Sequence, residues 1–191
     1  MPDMSQKIII DTDPGIDDAM AIHMGFADPR LEVVGLTTIF GNVTGKQATR
    51  NALSLAEMAH HPAVVAGGAA IPMRREPQPP ADFVHGPEGF GTCPAMSPKR
   101  RADTRNAARY LVETCADAPG EIIICAVGPL TNLAAALALD ETITRAAARV
   151  VVMGGSAALH GNVTTCAEAN IWNDPHAADA VFAADWDVTM V

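Results

Sequence analysis

The sequence lacks the features that mark disulfide-rich, membrane-spanning and nucleic-acid-binding proteins. It has four cysteines and no Cys-x-x-Cys pair, so neither a disulfide framework nor a cysteine metal site is predicted. No apolar stretch reaches the ~18 residues that a membrane helix requires. Acidic residues outnumber basic ones by 22 to 13, and the net charge of −9 argues against nucleic acid or an anionic membrane as a partner.

The pattern at the start of the sequence is not the one expected of a secretion signal. The segment Met1–Lys7 is polar and leads directly into a short apolar run, so no signal peptide is predicted. Together with unpaired cysteines, this predicts a reducing, cytoplasmic location. The 49% hydrophobic content is sufficient for a buried core, so the chain is expected to fold rather than to be disordered.

Short apolar, β-branched runs alternate with helical patterns along the chain. Because such alternation builds parallel sheets, the predicted fold class is α/β, an open and mostly parallel sheet with helices on both faces. The predicted strands are 7–10, 31–40, 64–66, 121–127 and 149–153. The predicted helices are 17–27, 45–60, 104–116, 130–139 and 175–184.

Two segments depart from this alternation. Residues 72–101 contain seven prolines and several glycines, which predicts a long irregular loop of the kind that covers a site. Residues 187–191 have the pattern of another buried strand, and a domain rarely ends inside its sheet. The chain is therefore predicted to be one α/β domain over 1–191, incomplete at its C-terminus, with a lid loop at 72–101.

Four carboxylates lie within eight residues after the first predicted strand. Such carboxylates repel one another unless a cation lies among them. The first two carboxylates stand at the end of the predicted strand and point to the same side of it. A Pro-Gly turn follows, and the last two carboxylates begin the next predicted helix. This is the edge of the sheet at which α/β proteins bind ligands. Hard oxygen ligands favour calcium or magnesium over zinc, and a metal-activated water can lose its proton to a spare carboxylate. The four residues are Asp11, Asp13, Asp17 and Asp18.

The residues alone leave two other interpretations of this segment open. One is a solvated acidic loop that caps a helix. The other is the aspartyl-phosphate chemistry of haloacid-dehalogenase-like phosphatases, which also begins at Asp-x-Asp after a first strand. That chemistry is typically accompanied by Thr or Val where this sequence has Gly15, and it gives the Asp17-Asp18 pair no role.

The run Asp-Thr-Asp-Pro-Gly-Ile-Asp-Asp-Ala closely resembles the N-terminal signature of the inosine-uridine-preferring nucleoside hydrolases. Further motifs similar to those of the family follow in order over essentially the whole chain. They are Thr-Thr-Ile-Phe-Gly-Asn from Thr37, His-Gly at His85, Gly-Pro-Leu-Thr-Asn-Leu from Gly128, Met-Gly-Gly from Met153, Gly-Asn-Val-Thr from Gly161 and Ala-Glu-Ala-Asn-Ile from Ala167.

The resemblance implies calcium-dependent hydrolysis of the N-glycosidic bond of ribonucleosides, giving ribose and free base. It implies that Asp13, Asp18 and the backbone carbonyl of Thr131 hold Ca²⁺, and that Asp13 is the general base on a metal-bound water. Asp11 is implied to support these ligands without binding the metal itself. The residues implied to bind substrate are Asp17, Asn42, His85, Met153, Asn162, Glu168 and Asn170.

Several of these side chains also have ordinary structural explanations. Asn42 and Asn162 lie beside glycine, as turn residues do. Met153 suits a core, and His85 suits a solvated loop. Glu168 and Asn170 are two residues apart and would share one face of an extended chain.

Two departures from the family pattern bear on activity. Ala169 stands where some members have an aromatic residue, and a further calcium-ligating Asp and an acid His are expected beyond Val191. The alternative to an active enzyme is therefore a catalytically incompetent remnant that binds ribose or calcium. The resemblance also implies a homo-oligomer (dimer or tetramer), a ribonucleoside as the small-molecule partner, and a role in purine and pyrimidine salvage.

Overall fold

The computed structural model describes residues 5–191. Residues 1–4, part of the segment that argued against a signal peptide, lie outside the described residues. Six strands form one parallel sheet in the order β3-β2-β1-β4-β5-β6. The strands are β1 (Gln6–Thr12), β2 (Leu31–Thr38), β3 (Val64–Gly67), β4 (Ile122–Ala126), β5 (Arg149–Val152) and β6 (Val188–Met190).

Helices connect these strands, and the predicted α/β class is confirmed. All five pairings are parallel, so the described sheet has no antiparallel strand. The helices are α1 (Ile16–Ala27), α2 (Gly45–Met58), α3 (Asp82–His85), α4 (Ala107–Asp117), α5 (Thr131–Leu139), α6 (Ile143–Ala146), α7 (Ala169–Asn173) and α8 (Pro175–Ala183).

The central strand β1 is apolar because both of its faces are covered. Successive side chains of a strand point to opposite faces. Ile9 accordingly lies in one core cluster with Leu133 of α5, whereas Ile8 and Ile10 lie in a second cluster with Ile22 of α1. Helices α4, α5 and α8 contribute to the first cluster, and α1 and α2 contribute to the second. A continuous apolar run is what a strand buried on both faces requires.

Local capping explains the late start of one helix. Helix α4 begins at Ala107, three residues later than predicted, because Asn106 Oδ1 accepts a hydrogen bond from Arg109 N at 2.9 Å. The prediction of an irregular loop at 72–101 was wrong in one place, since α3 forms a helical turn within it. Helices α3, α6 and α7 are too short to leave a periodic apolar pattern in the sequence.

The strand order places a crevice at one end of β1. From β1 the chain moves outward to β2 and then β3, and it returns to the other side of β1 to form β4, β5 and β6 in turn. Ligands bind in α/β sheets at such a reversal of strand order. Ile39 N donates to Thr12 O at 3.0 Å, and Val127 N donates to Asp11 O at 2.8 Å. The loops after three neighbouring strands are thereby held side by side. Within residues 5–191, no helix is both long and apolar enough to cross a membrane.

Candidate active site

Three of the four clustered aspartates are buried where β1 ends and α1 begins. Asp11, Asp13 and Asp18 are 0%, 1% and 5% exposed, whereas the side chain of Asp17 is 76% exposed. Adjacent helical residues differ by about 100° in direction, so one of the two α1 aspartates points inward and the other outward. The burial excludes the interpretation of the whole segment as a solvated acidic loop.

Asp13 is held so that one of its two carboxylate oxygens has no protein partner. Its Oδ2 accepts a hydrogen bond from Asn42 N at 2.6 Å, while its buried Oδ1 has no hydrogen-bond partner among residues 5–191. Two glycines make room for the carboxylate. A Cβ on Gly41 would lie 2.1 Å from Oδ2, and a Cβ on Gly128 would lie 2.8 Å from Oδ1. The backbone around Asp13 therefore admits no larger residue at either position without movement.

Asp18 is linked to Asp13 through one asparagine. Its Oδ1 accepts from Thr12 Oγ1 at 2.6 Å, and its Oδ2 accepts from Gly15 N at 3.1 Å and from Asn42 Nδ2 at 2.9 Å. Asn42 thus donates its backbone N–H to one carboxylate and its side-chain amide to the other. The turn-residue explanation of Asn42 does not account for these contacts.

The three buried carboxylates have raised pKa values. Burial raises the pKa of Asp11 to about 7, against the opposing effect of its hydrogen bonds from Thr37 and Asn132. Burial raises the pKa of Asp13 well above its usual range, and repulsion from Asp18 adds to the rise. Burial also raises the pKa of Asp18.

The chemistry of these carboxylates fits a hard cation. Among the described residues, no lysine, arginine or histidine forms an ion pair with Asp11, Asp13 or Asp18. The free, buried Oδ1 of Asp13 and the uncompensated charge are what a Ca²⁺ or Mg²⁺ ion would satisfy. Within residues 5–191, no group of three or more His, Cys, Asp or Glu side chains is arranged so that it alone could hold a metal ion. Among the buried carboxylate oxygens of these three aspartates, Asp13 Oδ1 and Asp11 Oδ2 have no hydrogen-bond partner within the described chain.

Thr131 and Asn132 open helix α5 next to this cluster. The hydroxyl of Thr131 donates to Asp174 Oδ2 at 2.8 Å, and the implied role of its carbonyl as a metal ligand stays a prediction. Asn132 Nδ2 donates to Asp11 Oδ1 at 2.8 Å and to the Thr38 carbonyl at 3.0 Å. Asn132 was not among the predicted site residues. Its position directly after Thr131 in the Gly-Pro-Leu-Thr-Asn motif is the sequence feature from which it could have been predicted.

The structure brings all seven predicted substrate residues to one cavity of about 610 Å³. Loop 72–101 forms part of its wall, through residues that include Gln78, Phe83 and Val84. The buried aspartates and Thr131 do not line it, but Gly41 and Asn42 do, and both lie against Asp13. A second surface cavity of about 470 Å³, by α5, α6 and α8, contains none of the predicted site residues.

Glu168 and Asn170 lie at a helix start, so the prediction that they share a face of an extended chain was wrong. Glu168 caps α7, and its Oε2 accepts from the backbone N–H groups of Asn170 at 2.9 Å and Gly155 at 2.9 Å. Asn170 Nδ2 donates to the carbonyls of Val127 and Met153, both at 3.0 Å. The two residues connect the ends of β4 and β5 to α7, which explains why both reach the cavity.

Two further predicted site residues, His85 and Met153, differ from their ordinary explanations, whereas Asn162 does not. His85 is 8% exposed rather than solvated, and its Nδ1 accepts from Ile16 N at 3.3 Å, at the start of α1. Met153 is 43% exposed and is therefore not a core residue. Asn162 is exposed, and its Oδ1 accepts from Ala169 N at 2.9 Å.

Loop 72–101 is attached to the rest of the structure near its start and near its middle. Near its start, Met73 N donates to Asp174 Oδ2 at 2.8 Å. In its second half, Glu88 forms an ion pair with Arg50 of α2 at 2.6 Å. Between these attachments, Phe83 is 92% exposed at the cavity. The lid function of the loop stays a prediction.

Comparison with known proteins gives one consistent result. The profile of the family described as inosine-uridine preferring nucleoside hydrolase matches residues 8–191. Uridine nucleosidase 1 of Arabidopsis thaliana is 49% identical over 187 residues, which cover 97% of this chain and 56% of that protein. The chain thus spans just over half the length of this relative.

Solved structures agree with the sequence comparison. A plant nucleoside hydrolase, PpNRh1, superposes with a TM-score of 0.93 at 46% identity, covering 97% of this chain and 59% of that one. A purine-preferring ribonucleoside hydrolase from Gardnerella vaginalis has a TM-score of 0.93 at 33% identity, covering 97% and 60%. The parallel sheet and its helices are therefore those of structurally known hydrolases.

Proposed function

The chain belongs to the inosine-uridine preferring nucleoside hydrolase family, and from this premise we propose that it hydrolyses the N-glycosidic bond of ribonucleosides. Membership of this family removes the haloacid-dehalogenase-like phosphatase interpretation. The observation that carries the proposal is the single cavity lined by all seven predicted substrate residues, directly beside the buried carboxylate of Asp13.

The metal part of the proposal rests on oxygen donors at the end of β1 and the start of α1 and α5. Asp13, Asp18 and the backbone carbonyl of Thr131 would hold calcium, since hard oxygen ligands suit that ion. When bound there, the ion supplies positive charge that lowers the pKa of water. Asp11 lies behind these ligands and is itself held by Thr37 Oγ1 at 2.5 Å.

Asp13 is the proposed general base. Its Oδ2 accepts the Asn42 N–H, so the carboxylate cannot rotate freely. Its Oδ1, the oxygen without a protein partner, would serve both as metal ligand and, through its second lone pair, as acceptor of a proton from the attacking water. The distance between base and water then depends on the backbone of β1 rather than on a flexible side chain. General-base catalysis of this kind contributes about 10²- to 10⁴-fold to a rate.

The remaining cavity residues are proposed to hold the ribose. Asp17 offers an exposed carboxylate that accepts hydrogen bonds from sugar hydroxyls. Asn170 already donates both contacts of its Nδ2, so its Oδ1 remains to accept from a hydroxyl. Asn162 uses its Oδ1 on the backbone, so its Nδ2 remains to donate. Asn42, Glu168 and Met153 are also proposed to contact the ribose, and His85 is proposed to contact the nucleobase. An oxocarbenium-like transition state gains from firmly held ribose oxygens and from nearby negative charge.

Further parts of the proposal rest on the resemblance and on the relatives. Calcium as the metal, a dimer or tetramer, a cytoplasmic location and a role in nucleoside salvage belong to it, as does a lid function for residues 72–101. One relative is named for uridine and another for purines, so substrates of both classes belong in the first assay.

Release of ribose tests the proposal directly. The 191-residue protein is incubated with inosine, uridine and cytidine, in calcium and in excess chelator, and reducing sugar is measured. We expect calcium-dependent release that falls by about 10²- to 10⁴-fold in Asp13→Asn, because the proton acceptor is lost while the side-chain shape is kept. Asp117→Asn, an exposed change at the end of α4, is the matched control and should retain activity.

The outcomes separate the enzyme from the remnant. Binding of calcium or ribose without any ribose release supports the catalytically incompetent remnant. Release that is independent of calcium and equal in Asp13→Asn contradicts the proposed mechanism.

A further inference from the structure

A buried carboxylate outside the predicted site connects three structural elements. Asp174 is fully buried and stands directly before α8. Its Oδ1 accepts a hydrogen bond from Ala177 N at 3.1 Å and so caps the helix. Its Oδ2 accepts from Thr131 Oγ1 and from Met73 N, each at 2.8 Å. The donors come from α8, from α5 and from the start of loop 72–101.

Helix capping alone does not account for this residue. A cap needs one acceptor oxygen, which asparagine or serine would provide without charge. Asp174 has no ion-pair partner among residues 5–191, and a buried carboxylate without one is costly. Its second oxygen is used to join Thr131 to Met73. This second pair of contacts indicates a role beyond the helix.

The same segment binds the loop at a second point. The guanidinium of Arg75 lies 4.4 Å from the ring centroid of Trp172, and its Nη1 also donates to the Trp172 carbonyl. The start of loop 72–101 is therefore attached to residues 172–174. Trp172 and Asn173 themselves line the cavity, as do Glu168 and Asn170 shortly before them in the chain.

We propose that Asp174 is a positioning residue, which sets the place of the α5 N-terminus relative to the start of loop 72–101. Through its bond to the Thr131 hydroxyl it orients the residue whose backbone carbonyl is a proposed metal ligand. The metal consequence rests on the proposed function, whereas the positioning itself rests on the contacts of Asp174. Residues that orient metal ligands typically contribute about 10- to 100-fold to metal affinity.

Three variants separate the contacts. Asp174→Asn keeps the shape and leaves one acceptor oxygen, so helix cap and loop contact cannot both be retained. Thr131→Val removes the hydroxyl and keeps the backbone carbonyl, and Thr131→Ser keeps both groups. In calorimetric titrations with calcium chloride, we expect affinity to fall about 10- to 100-fold in Asp174→Asn and about 10-fold in Thr131→Val. Thr131→Ser should bind as the unmodified protein does.

A helix cap far from the cavity provides the control. Asn106→Ala removes the cap of α4 and should lower the melting temperature without changing calcium affinity. Equal loss of calcium affinity in this control would show that any destabilisation weakens binding, and it would overturn the proposal. Unchanged affinity in both Asp174→Asn and Thr131→Val would overturn it as well. If Asp174→Asn fails to fold, Thr131→Val and Thr131→Ser still decide the question.

Measurements on the metal-free protein distinguish this inference from the proposed function. Asp174→Asn should speed hydrogen exchange of the Met73 amide and shift the carbonyl carbon resonance of Thr131. Both changes without any calcium binding by the unmodified protein would refute the metal part of the proposed function and support the positioning. No change in either signal would refute the positioning, whatever the result with calcium.

Discussion

Replacing Asp11 by asparagine should make the metal-free protein more stable relative to the unmodified protein as the pH rises. Asp11 is fully buried, its Oδ1 accepts hydrogen bonds from Thr37 and Asn132, and its Oδ2 has no partner among the described residues. Burial raises its pKa to about 7. The folded protein therefore holds a proton on Asp11 at pH values where the unfolded chain has lost it.

The sign and size of the effect follow from this pKa. Where the folded state binds more protons than the unfolded state, the free energy of unfolding falls as pH rises. This fall begins near the ordinary carboxyl pKa of about 4 and ends near the folded pKa of about 7. Between pH 5 and pH 7 it amounts to about 2 kcal/mol, and by pH 8 to about 3 kcal/mol, because each pH unit contributes about 1.4 kcal/mol until the folded carboxyl itself begins to ionise near pH 7. Asp11→Asn cannot ionise and lacks this component.

Urea unfolding in excess chelator measures the difference. The free energy of unfolding of Asp11→Asn minus that of the unmodified protein should rise by about 3 kcal/mol between pH 5 and pH 8. The asparagine amide replaces Oδ2, which had no partner, and this costs some stability at every pH. Because that cost does not depend on pH, it cancels when the difference at pH 5 is compared with the difference at pH 8. Asp13 and Asp18 also have raised pKa values but are present in both proteins. If the difference in free energy of unfolding between the two proteins stays constant across this pH range, the raised pKa of Asp11 is refuted.

Three further predictions concern close contacts, a hydrogen bond and the metal. Gly41→Ala should greatly reduce ribose release, because its Cβ would lie 2.1 Å from Asp13 Oδ2. Gly120→Ala is the control, since Gly120 also has a positive φ but has no neighbouring atom within 4 Å of an added Cβ. It should cost about 1 kcal/mol of stability and leave activity unchanged. Tyr110→Phe should lower the free energy of unfolding by about 1 kcal/mol without affecting activity, because the hydroxyl donates to the Val34 carbonyl at 3.0 Å; an unchanged urea midpoint would contradict this. Calcium at 100 times its dissociation constant should stabilise the protein by about 2.7 kcal/mol in thermal or urea unfolding at pH 8, and no stabilisation would argue against a calcium site.

Much of the fold could be predicted from the sequence because the signals are local. The run Ile8–Ile10 is apolar on both faces of β1, and such runs alternate with helical patterns along the chain. The aspartates after β1 likewise predicted a site at the edge where parallel strands end. The seven residues that line the cavity were named from motifs that occur in this chain in the same order as in the family.

Other features could not be read from neighbouring residues. Asp17 and Asp18 are adjacent and chemically identical, and only the packing of α1 shows that Asp18 is buried and Asp17 exposed. The pairing of Glu168 with Asn170 was wrongly assigned to extended chain, because a five-residue helix leaves no periodic signal.

The sequence by itself determined that strands alternate with helices and that acidic residues follow the first strand. The tertiary structure decided which polar groups meet. Asn132 reaches Asp11 across 121 positions of the chain, and Asp174 reaches Met73 across 101. Such contacts depend on the order and register of strands and on how helices pack against them, and no local propensity encodes either. For this reason the sequence could predict Asp11 as a supporting residue of the site, but only the fold showed its partners and its raised pKa.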